Sequence, residues 1–444
     1  VSPNHHQRQL ELLIVGAGAA GLAAAIRAWD HGIRSLLVVD RDPYPGGILR
    51  QCIHTGFGLE YYQEDLTGPE YLARLRAEAD KRRIEVMLET TVTGLQEGPR
   101  ATLISQRYGV VRVDAQAVVL ATGSYERTRE NLRIAGSRPA GVFTAGQAQQ
   151  LINLFGYRIG KRVVVQGTGD IGLIMTRRLQ LEGYEVLAVF ERLRFVVGLL
   201  RNKVQCLDDF EIEPQFEHQI VEIHGASRVV GVTVAQIKGC DDEARPVAGT
   251  ERLVACDTVV LSAGLLPNRE LLGLAQDEPI DANLHSSLDG VFVAGNALEI
   301  HDLADGASAQ GEYAADRAVD RVRGIPLQRT VESHRPGQFR SRWSVPARDV
   351  VTTGVVCIVC PRGCILTDED IRCRRGAEFL QQERRDKHRV TTTTTWIHMN
   401  GTRVRVAARS KLPQPFAVQK QIVRQIKHGG LAARQFEFTD VGER

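Results

Sequence analysis

Two stretches of this chain share one hydrophobic rhythm. Leu12-Leu-Ile-Val15 is an unbroken apolar run that meets the turn Gly16-Ala-Gly18-Ala-Ala-Gly21, and the small and apolar residues from Leu22 to Trp29 predict a helix directly after it. The next apolar run, Ser35-Leu-Leu-Val-Val39, ends at Asp40. The rhythm recurs at Arg162-Val-Val-Val-Gln166, which runs into Gly167-Thr-Gly169-Asp-Ile-Gly172, and the following strand Glu185-Val-Leu-Ala-Val-Phe190 ends at Glu191. In both units the carboxylate stands 24 positions after the first glycine. Each unit also closes alike. Ala117-Val-Val-Leu-Ala121 stops at Thr122-Gly123, Thr258-Val-Val-Leu-Ser-Ala263 stops at Gly264, and a third such edge, Gly290-Val-Phe-Val-Ala294, stops at Gly295-Asn296.

The spacing has a physical reading. A first glycine permits a tight strand-to-helix turn, a second lets backbone approach a pyrophosphate, and a third allows helix and strand to pack closely. Amides at the helix N-terminus receive the phosphates, and the acid at the next strand end binds ribose hydroxyls. Two such units, each with its acid, predict two dinucleotide sites. Glu191 would repel a 2′-phosphate and favours NAD, while Arg192 and Arg194 keep NADP open.

Composition narrows the class. With 444 residues and 43% hydrophobic content, the chain has room for roughly two to four domains. Its longest apolar run, Leu12 to Ile26, is interrupted by glycine and is shorter than the ~18 residues of a membrane span. The polar N-terminus carries no apolar segment of a secretory signal, so the expected location is cytoplasmic. The net charge of +3 conceals an asymmetry, since residues from Glu332 onward contain 21 Lys+Arg against 11 Asp+Glu. A basic C-terminal part follows an acidic body, which implies a solvated surface or docking on an acidic partner or on the body itself. Nucleic acid is disfavoured, because only Trp343 and Trp396 supply large stacking rings there and no recognition motif accompanies them.

The eight cysteines are better read as metal or redox chemistry than as a disulfide framework. Cys357, Cys360, Cys364 and Cys373 follow C-x2-C-x3-C-x8-C, enough thiolates for an iron-sulfur cluster or a tetrahedral zinc. Pro361 and Gly363 bend the loop so that three sulfurs can converge. A tight triad with an outlying cysteine followed by a basic residue and glycine resembles the cluster site at the start of molybdopterin oxidoreductases. Cys52 stands alone beside His54 in Gln51-Cys-Ile-His54, so a dithiol reductase is not expected; Cys52 and His54 are catalytic candidates as a thiol and a proton donor, with a structural role as the alternative. Cys206, Cys240 and Cys256 read as small buried hydrophobes.

The glycine turns and their closing strands resemble the two-dinucleotide-binding-domain flavoproteins, the superfamily of thioredoxin reductase and NADH oxidases. The resemblance implies an α/β fold with two Rossmann-like domains: a discontinuous FAD domain over residues 9–125 and 266–325, and an NAD(P) domain over 126–265 inserted into it. Residues around Gly295 would return to the flavin, with Asn296 standing where many members carry Asp. A narrower likeness rests on Gly46-Gly-Ile-Leu-Arg-Gln-Cys-Ile-His-Thr-Gly-Phe-Gly58, Ser137-Arg-Pro-Ala-Gly-Val-Phe-Thr-Ala-Gly146, Gly167-Thr-Gly-Asp-Ile-Gly-Leu-Ile-Met175 and Val204-Gln-Cys-Leu-Asp-Asp-Phe210. These segments resemble the flavoprotein that accompanies anaerobic-type glycerol-3-phosphate dehydrogenases and, more distantly, the FAD subunits of opine oxidases and hydrogen cyanide synthase. After a linker over 326–352, residues 353–444 resemble a small cysteine-containing domain found with those flavoproteins, matched at Cys357 to Cys364, Cys373-Arg-Arg-Gly-Ala-Glu-Phe379 and Arg389-Val-Thr-Thr-Thr-Thr-Thr395.

Nicotinamide exchanges a hydride, a cluster passes single electrons, and flavin does both. The expected activity is therefore an FAD- and NAD(P)-dependent oxidoreductase that relays electrons to or from a partner dehydrogenase subunit, by resemblance one that oxidises glycerol-3-phosphate. Two alternatives remain at the level of sequence: a stand-alone NADH oxidase with a zinc-stapled tail, and a flavoprotein body whose zinc-stabilised tail only docks a partner. His301, Asp302 and Asp305 fall near the flavin by resemblance; as a pattern they read equally as helix-start and surface residues.

Overall fold

The computed structural model describes residues 6–239, 245–275, 277–327, 333–334, 347, 354–359, 364–367, 370–371, 373–399, 402–427 and 436–443. In chain order the principal elements are β1 (His6–Val15), α1 (Ala19–Asp30), β2 (Leu36–Val39), α2 (Gly68–Lys81), β3 (Glu85–Met87), β4 (Thr90–Gln96), β5 (Arg100–Ser105), β6 (Gly109–Leu120), α3 (Ala145–Asn153), β7 (Arg162–Gln166), α4 (Asp170–Leu181), β8 (Glu185–Glu191), β9 (Thr258–Leu261), β10 (Val291–Val293) and α5 (Ala304–Val322). The C-terminal stretch adds the short hairpin β11 (Val355–Val356) and β12 (Ile365–Leu366), then α6 (Arg374–Arg385), β13 (Thr392–Met399), β14 (Thr402–Ser410), α7 (Gln419–Lys427) and β15 (Phe436–Glu443). Contacts divide the described residues into two units, one from 1–50, 55–125 and 266–341, the other from 51–54, 126–265 and 342–444.

In the first unit the sheet runs β3-β2-β1-β6-β5-β4. The long β6 gives its first half to β5 and its last three residues to β10. Leu12, Leu13, Ile14, Leu37, Val38 and Val39 are wholly buried, as expected of parallel strands covered on both faces. Val15 pairs with Val39 and Leu120, and Leu120 with Val293, so the chain leaves β1, β6 and β10 at one carboxyl edge. That edge is where open α/β sheets bind ligands. On one face α1 meets α5 through alanines, with Ala23, Ala24, Ala314, Ala315 and Ala318 fully buried. Gly311 must be glycine there, because a Cβ would lie 2.1 Å from the Ala20 carbonyl oxygen.

The second unit repeats the plan. Its parallel sheet runs Val142–Thr144, β9, β7, β8 and Gln215–Phe216. By contacts the C-terminal residues cluster with this unit. Here β13, β14 and β15 form an antiparallel sheet, and Ala407 and Val441 pack with Leu154 and Ile53.

The docking of this C-terminal sheet explains the threonine run and part of the basic charge. Thr391, Thr392, Thr393 and Thr394 are all buried, and the last three meet arginines: Arg178 donates to Thr392 O (2.8 Å) and Thr393 Oγ1 (3.0 Å), and Arg405 to Thr394 Oγ1 (2.6 Å). Arg405 also donates to the carbonyls of Ile152 (3.1 Å) and Asn153 (2.9 Å), the exposed-dipole end of α3. A cation at a helix C-terminus satisfies carbonyls that the helix itself leaves unpaired. Lys427 pairs with Glu182, and Arg389, with no exposed side-chain surface, forks onto Asp209 at 2.6 and 2.8 Å and onto Glu383 at 2.7 and 2.8 Å. Burial alone would lower the Arg389 pKa, but its bonds to Glu383 and Asp209 outweigh that and hold it above the ordinary value. Three of the C-terminal cations, Lys387, Arg389 and Lys427, are thus paired with carboxylates of the preceding acidic residues, Asp209 and Glu182.

Candidate functional site

The first glycine turn is built as its spacing requires. Gly16 has φ +107°, and a Cβ there would lie 2.3 Å from the Ala121 carbonyl oxygen. A Cβ on Gly21 would lie 1.8 Å from Gly16 O, whereas Gly18 has nothing within 4 Å. Gly18 is also the N-cap of α1, which has no side-chain cap and no acid in its first turn. The helix therefore presents unclaimed amides at an open glycine, the arrangement that receives a pyrophosphate. Asp40 closes the turn: Oδ2 accepts the Ala17 N–H at 2.7 Å and Oδ1 the Asp42 N–H at 3.0 Å. Its burial raises the carboxyl pKa from the ordinary value, against the lowering effect of those two N–H bonds.

The second turn repeats the geometry of the first. Gly167 has φ +101° and a Cβ there would lie 2.0 Å from Ser262 O, while one on Gly172 would lie 2.4 Å from Gly167 O. Around Gly169 only Ser262 Oγ comes within 4 Å, at 3.9 Å. Glu191 Oε2 accepts the Thr168 N–H (2.8 Å) and the Thr168 hydroxyl (2.7 Å), and Oε1 accepts the Leu193 N–H (3.0 Å). The repeat extends further than the sequence revealed. Gly46 donates its N–H to Ala17 O at 2.7 Å, and Gly198 donates to Thr168 O at 2.9 Å, so each half folds a later glycine segment back over its own turn. One difference is chemical. Asp170 lies in the first turn of α4 and accepts from Leu199 N–H and Asn202 Nδ2, both at 2.8 Å.

Thr122 and Gly123 lie at the exit of β6, where the Thr122 hydroxyl donates to Asn268 O (2.7 Å) and Gly123 O accepts the Asn268 N–H (3.0 Å). At the exit of β10, Gly295 has φ +66°, and a Cβ on it would lie 2.8 Å from Cβ of Ala20 in the first turn of α1. Asn296 is therefore next to the amide end of α1, and its Oδ1 accepts the His301 N–H at 3.1 Å. That bond leaves the amide nitrogen of Asn296 as a donor, where a carboxylate would only accept.

Cys52 is placed differently from a catalytic thiol. It is buried, its Sγ lies 3.5 Å from Gln149 Oε1 on α3, and burial pushes its pKa up to about 12. Its neighbours are fixed to the same helix: Gln51 Nε2 donates to Gly146 O (2.9 Å) and Gln149 Oε1 (3.1 Å), and Asn153 Nδ2 donates to Gln51 O (2.8 Å). His54 is half-buried. A thiol held protonated and covered is a poor nucleophile. Iodoacetamide is expected to label Cys52 only after unfolding; labelling of the native protein, read by peptide mass spectrometry, would contradict this placement. Cys206 and Cys256 are similarly buried, their thiols pushed up to about 12 and about 11, and neither they nor Cys52 is in a disulfide.

In the cysteine stretch, Cys357 and Cys364 face each other just inside the β11–β12 hairpin, with the Cys357 N–H donating to Cys364 O at 2.7 Å. Cys357 packs with Leu366 and with Leu380 of α6. Cys373 is the N-cap of α6, its Sγ accepting the Gly376 N–H at 3.3 Å. Cys360 lies outside the described residues, and Cys240 does as well. Among the described residues no group of three or more His, Cys, Asp or Glu is placed to hold a metal ion.

Fold and turns together define an FAD- and pyridine-nucleotide-dependent oxidoreductase with two Rossmann-type domains. Residues 10–311 match the pyridine nucleotide-disulphide oxidoreductase family, and the chain belongs to it. It is 26% identical over 329 residues to hydrogen cyanide synthase subunit HcnB of Pseudomonas protegens, covering 69% of this chain and 68% of that one. It is 28% identical over 337 residues to an opine oxidase subunit of Rhizobium meliloti, covering 70% and 62%, so it spans less than two thirds of that relative. The glutamate synthase [NADPH] small chain of Escherichia coli is also 28% identical over 337 residues, covering 69% and 67%. Among solved structures, the thioredoxin reductases of T. acidophilum and Lactococcus lactis share the fold, with TM-scores of 0.56 and 0.58 at 22% and 20% identity over 70% and 71% of this chain. The family name speaks of a disulphide, yet the cysteines described in the nucleotide-binding parts are single buried thiols. No described helix is long and apolar enough to cross a membrane.

Proposed function

We propose that this chain is the electron-relaying subunit of a flavin-dependent dehydrogenase, with FAD at the Gly16–Asp40 turn and NAD at the Gly167–Glu191 turn. The observation that carries the reading is the duplicated turn, with an acid in each half bonded to the amide after the first glycine. NAD is favoured over NADP because Glu191 opposes a 2′-phosphate and Arg194 is engaged by Glu217 at 2.7 Å. A partner follows from the relatives, which include subunits of hydrogen cyanide synthase, opine oxidase and sarcosine oxidase. The motif likeness to the glycerol-3-phosphate-associated flavoprotein makes a dehydrogenase of that type the preferred partner.

The proposed exit for single electrons is an iron-sulfur site at Cys357, Cys360, Cys364 and Cys373. The hairpin that pairs Cys357 with Cys364 and the packing of α6, capped by Cys373, against that hairpin support it. A second reading draws on the same residues: Cys357 in an apolar cluster and Cys373 as a helix cap suit a zinc-stapled or metal-free tail on a stand-alone NADH oxidase. Purification without oxygen, followed by an absorbance spectrum and iron, zinc and sulfide assays, separates the two. FAD with iron and sulfide, the latter two lost in Cys360→Ser, is the expected outcome. FAD with zinc and no sulfide would remove the cluster from the relay.

A further inference from the structure

The loop between β10 and α5 carries a buried polar network. Gln310, on the second turn of α5, is fully buried. Its Oε1 accepts the Gly295 N–H at 2.7 Å and faces His301 Nε2 at 3.0 Å, and its Nε2 donates to Glu299 Oε1 at 2.9 Å. Glu299 Oε1 in turn meets His334 Nε2 at 3.1 Å.

Chemistry fixes the orientation of each group. A backbone N–H only donates, so the oxygen of Gln310 must face Gly295; a carboxylate only accepts, so the nitrogen must face Glu299. His301 Nε2 therefore has to be the donor to Gln310 Oε1. A neutral His301 is then the Nε2–H tautomer with its lone pair on Nδ1, and protonation at Nδ1 preserves the same bond. The network accommodates both charge states without rotation. Nδ1 has no hydrogen bond among the described residues, while the His301 backbone is pinned to Asn296. The loop also has a defined place: Gly295, at its start, abuts Ala20, and the Ser308 hydroxyl inside α5 lies 3.5 Å from Ala19 O, so the start of the loop and the N-terminal part of α5 border the first turn of α1.

We propose that His301 is the proton acceptor of the flavin site and that Gln310 is the positioning residue that keeps Nδ1 unprotonated and available. This rests on the first turn being the FAD site. A hydride from nicotinamide brings two electrons and one proton. When a one-electron acceptor has drawn off both electrons, that one proton remains, passes to His301 Nδ1, and leaves to water. The charged or titratable groups around His301 are Glu299 and His334 beyond Gln310, Asp302 beside it, and Asp305 in the first turn of α5. Asp305 Oδ1 accepts the Tyr61 N–H at 3.2 Å, and burial raises its carboxyl pKa to about 6. Because Asp305 is a second titratable group on this loop, a pH profile alone would not single out His301.

The test combines a spectrum with a kinetic ratio. In the full chain carrying 15N-histidine, long-range 1H–15N spectra should show His301 as the Nε2–H tautomer and a mixture of tautomers in Gln310→Leu. In stopped flow, flavin is reduced by NADH and then oxidised by ferricyanide. The ratio of oxidative to reductive rate should fall about a hundredfold in His301→Gln, which keeps an amide donor toward Gln310, and should recover with added imidazole. An Nδ1–H tautomer in the native chain, an unchanged ratio, or a lowered ratio that imidazole does not restore would overturn the proposal. Should His301→Gln lose FAD, Gln310→Leu, which retains the imidazole, supplies the same ratio. If the native chain holds no NADH-reducible flavin, the reading of the first site fails, and the tautomer spectrum still tests the geometry.

Discussion

Replacing Arg389 by methionine lowers the stability of the protein by about 3–5 kcal/mol, the scale on which breaking a buried ion pair by removing one partner acts. The size follows from what remains. Asp209 and Glu383 both accept two bonds from the Arg389 guanidinium, and neither side chain has more than 11% of its surface exposed. Without the guanidinium two carboxylates share a dry site in which, among the described residues, Lys387 lies 3.7 Å from Asp209 and Arg177 remains within electrostatic reach of it. Urea unfolding followed by circular dichroism measures the loss. Replacing Arg389, Asp209 and Glu383 together by apolar residues of similar volume should cost far less than Arg389→Met alone. A loss under about 1 kcal/mol for the single variant would mean that water reaches the site and that the pair acts like one on the surface.

The two turns could be read from the chain because their chemistry is local. Tight turning, close approach and helix packing each demand glycine at a fixed offset, and the acid must stand at the end of the adjacent strand. What joins Arg389 to Asp209 is a separation of 180 residues that no short pattern encodes. The run of threonines drew attention only through a family likeness; its physical purpose, a buried polar strand that receives Arg178 and Arg405, needs the packed partners to be visible. The equivalence of Gly46 and Gly198 is hidden in the sequence for a simpler reason. They lie six and seven positions after their acids, so the repeat loses register by one residue although the hydrogen bond is the same. Gln310 resembled any polar residue on a helix; only the loop folded onto it reveals that all its amide atoms are engaged. Cys52 was legible as a lone thiol, and its burial against α3 is what the sequence could not supply.

The third glycine of each turn offers the most discriminating experiment. Gly21→Ala should strip the protein of FAD, whereas Gly172→Ala should keep the flavin colour and lose reduction by NADH. The added methyl would lie 1.8 Å from Gly16 O in the first case and 2.4 Å from Gly167 O in the second, both far inside contact distance with backbone. Neither carbonyl can retreat freely, since the Gly16 N–H is bonded to Val39 O at 2.8 Å and the Gly167 N–H to Phe190 O at 2.7 Å. The helix must back away from the strand instead, carrying its first-turn amides off the pyrophosphate. Overpacking of this kind costs about 1–3 kcal/mol, which at about 1.4 kcal/mol per decade weakens nucleotide binding roughly five- to a hundredfold. The shorter contact at Gly21 predicts the larger loss. FAD content by absorbance and NADH affinity from the rate of flavin reduction measure the two effects independently. If Gly172→Ala released the FAD while Gly21→Ala only weakened NADH, the two turns would hold their nucleotides in the opposite order, and the route from nicotinamide to flavin would run the other way through the chain.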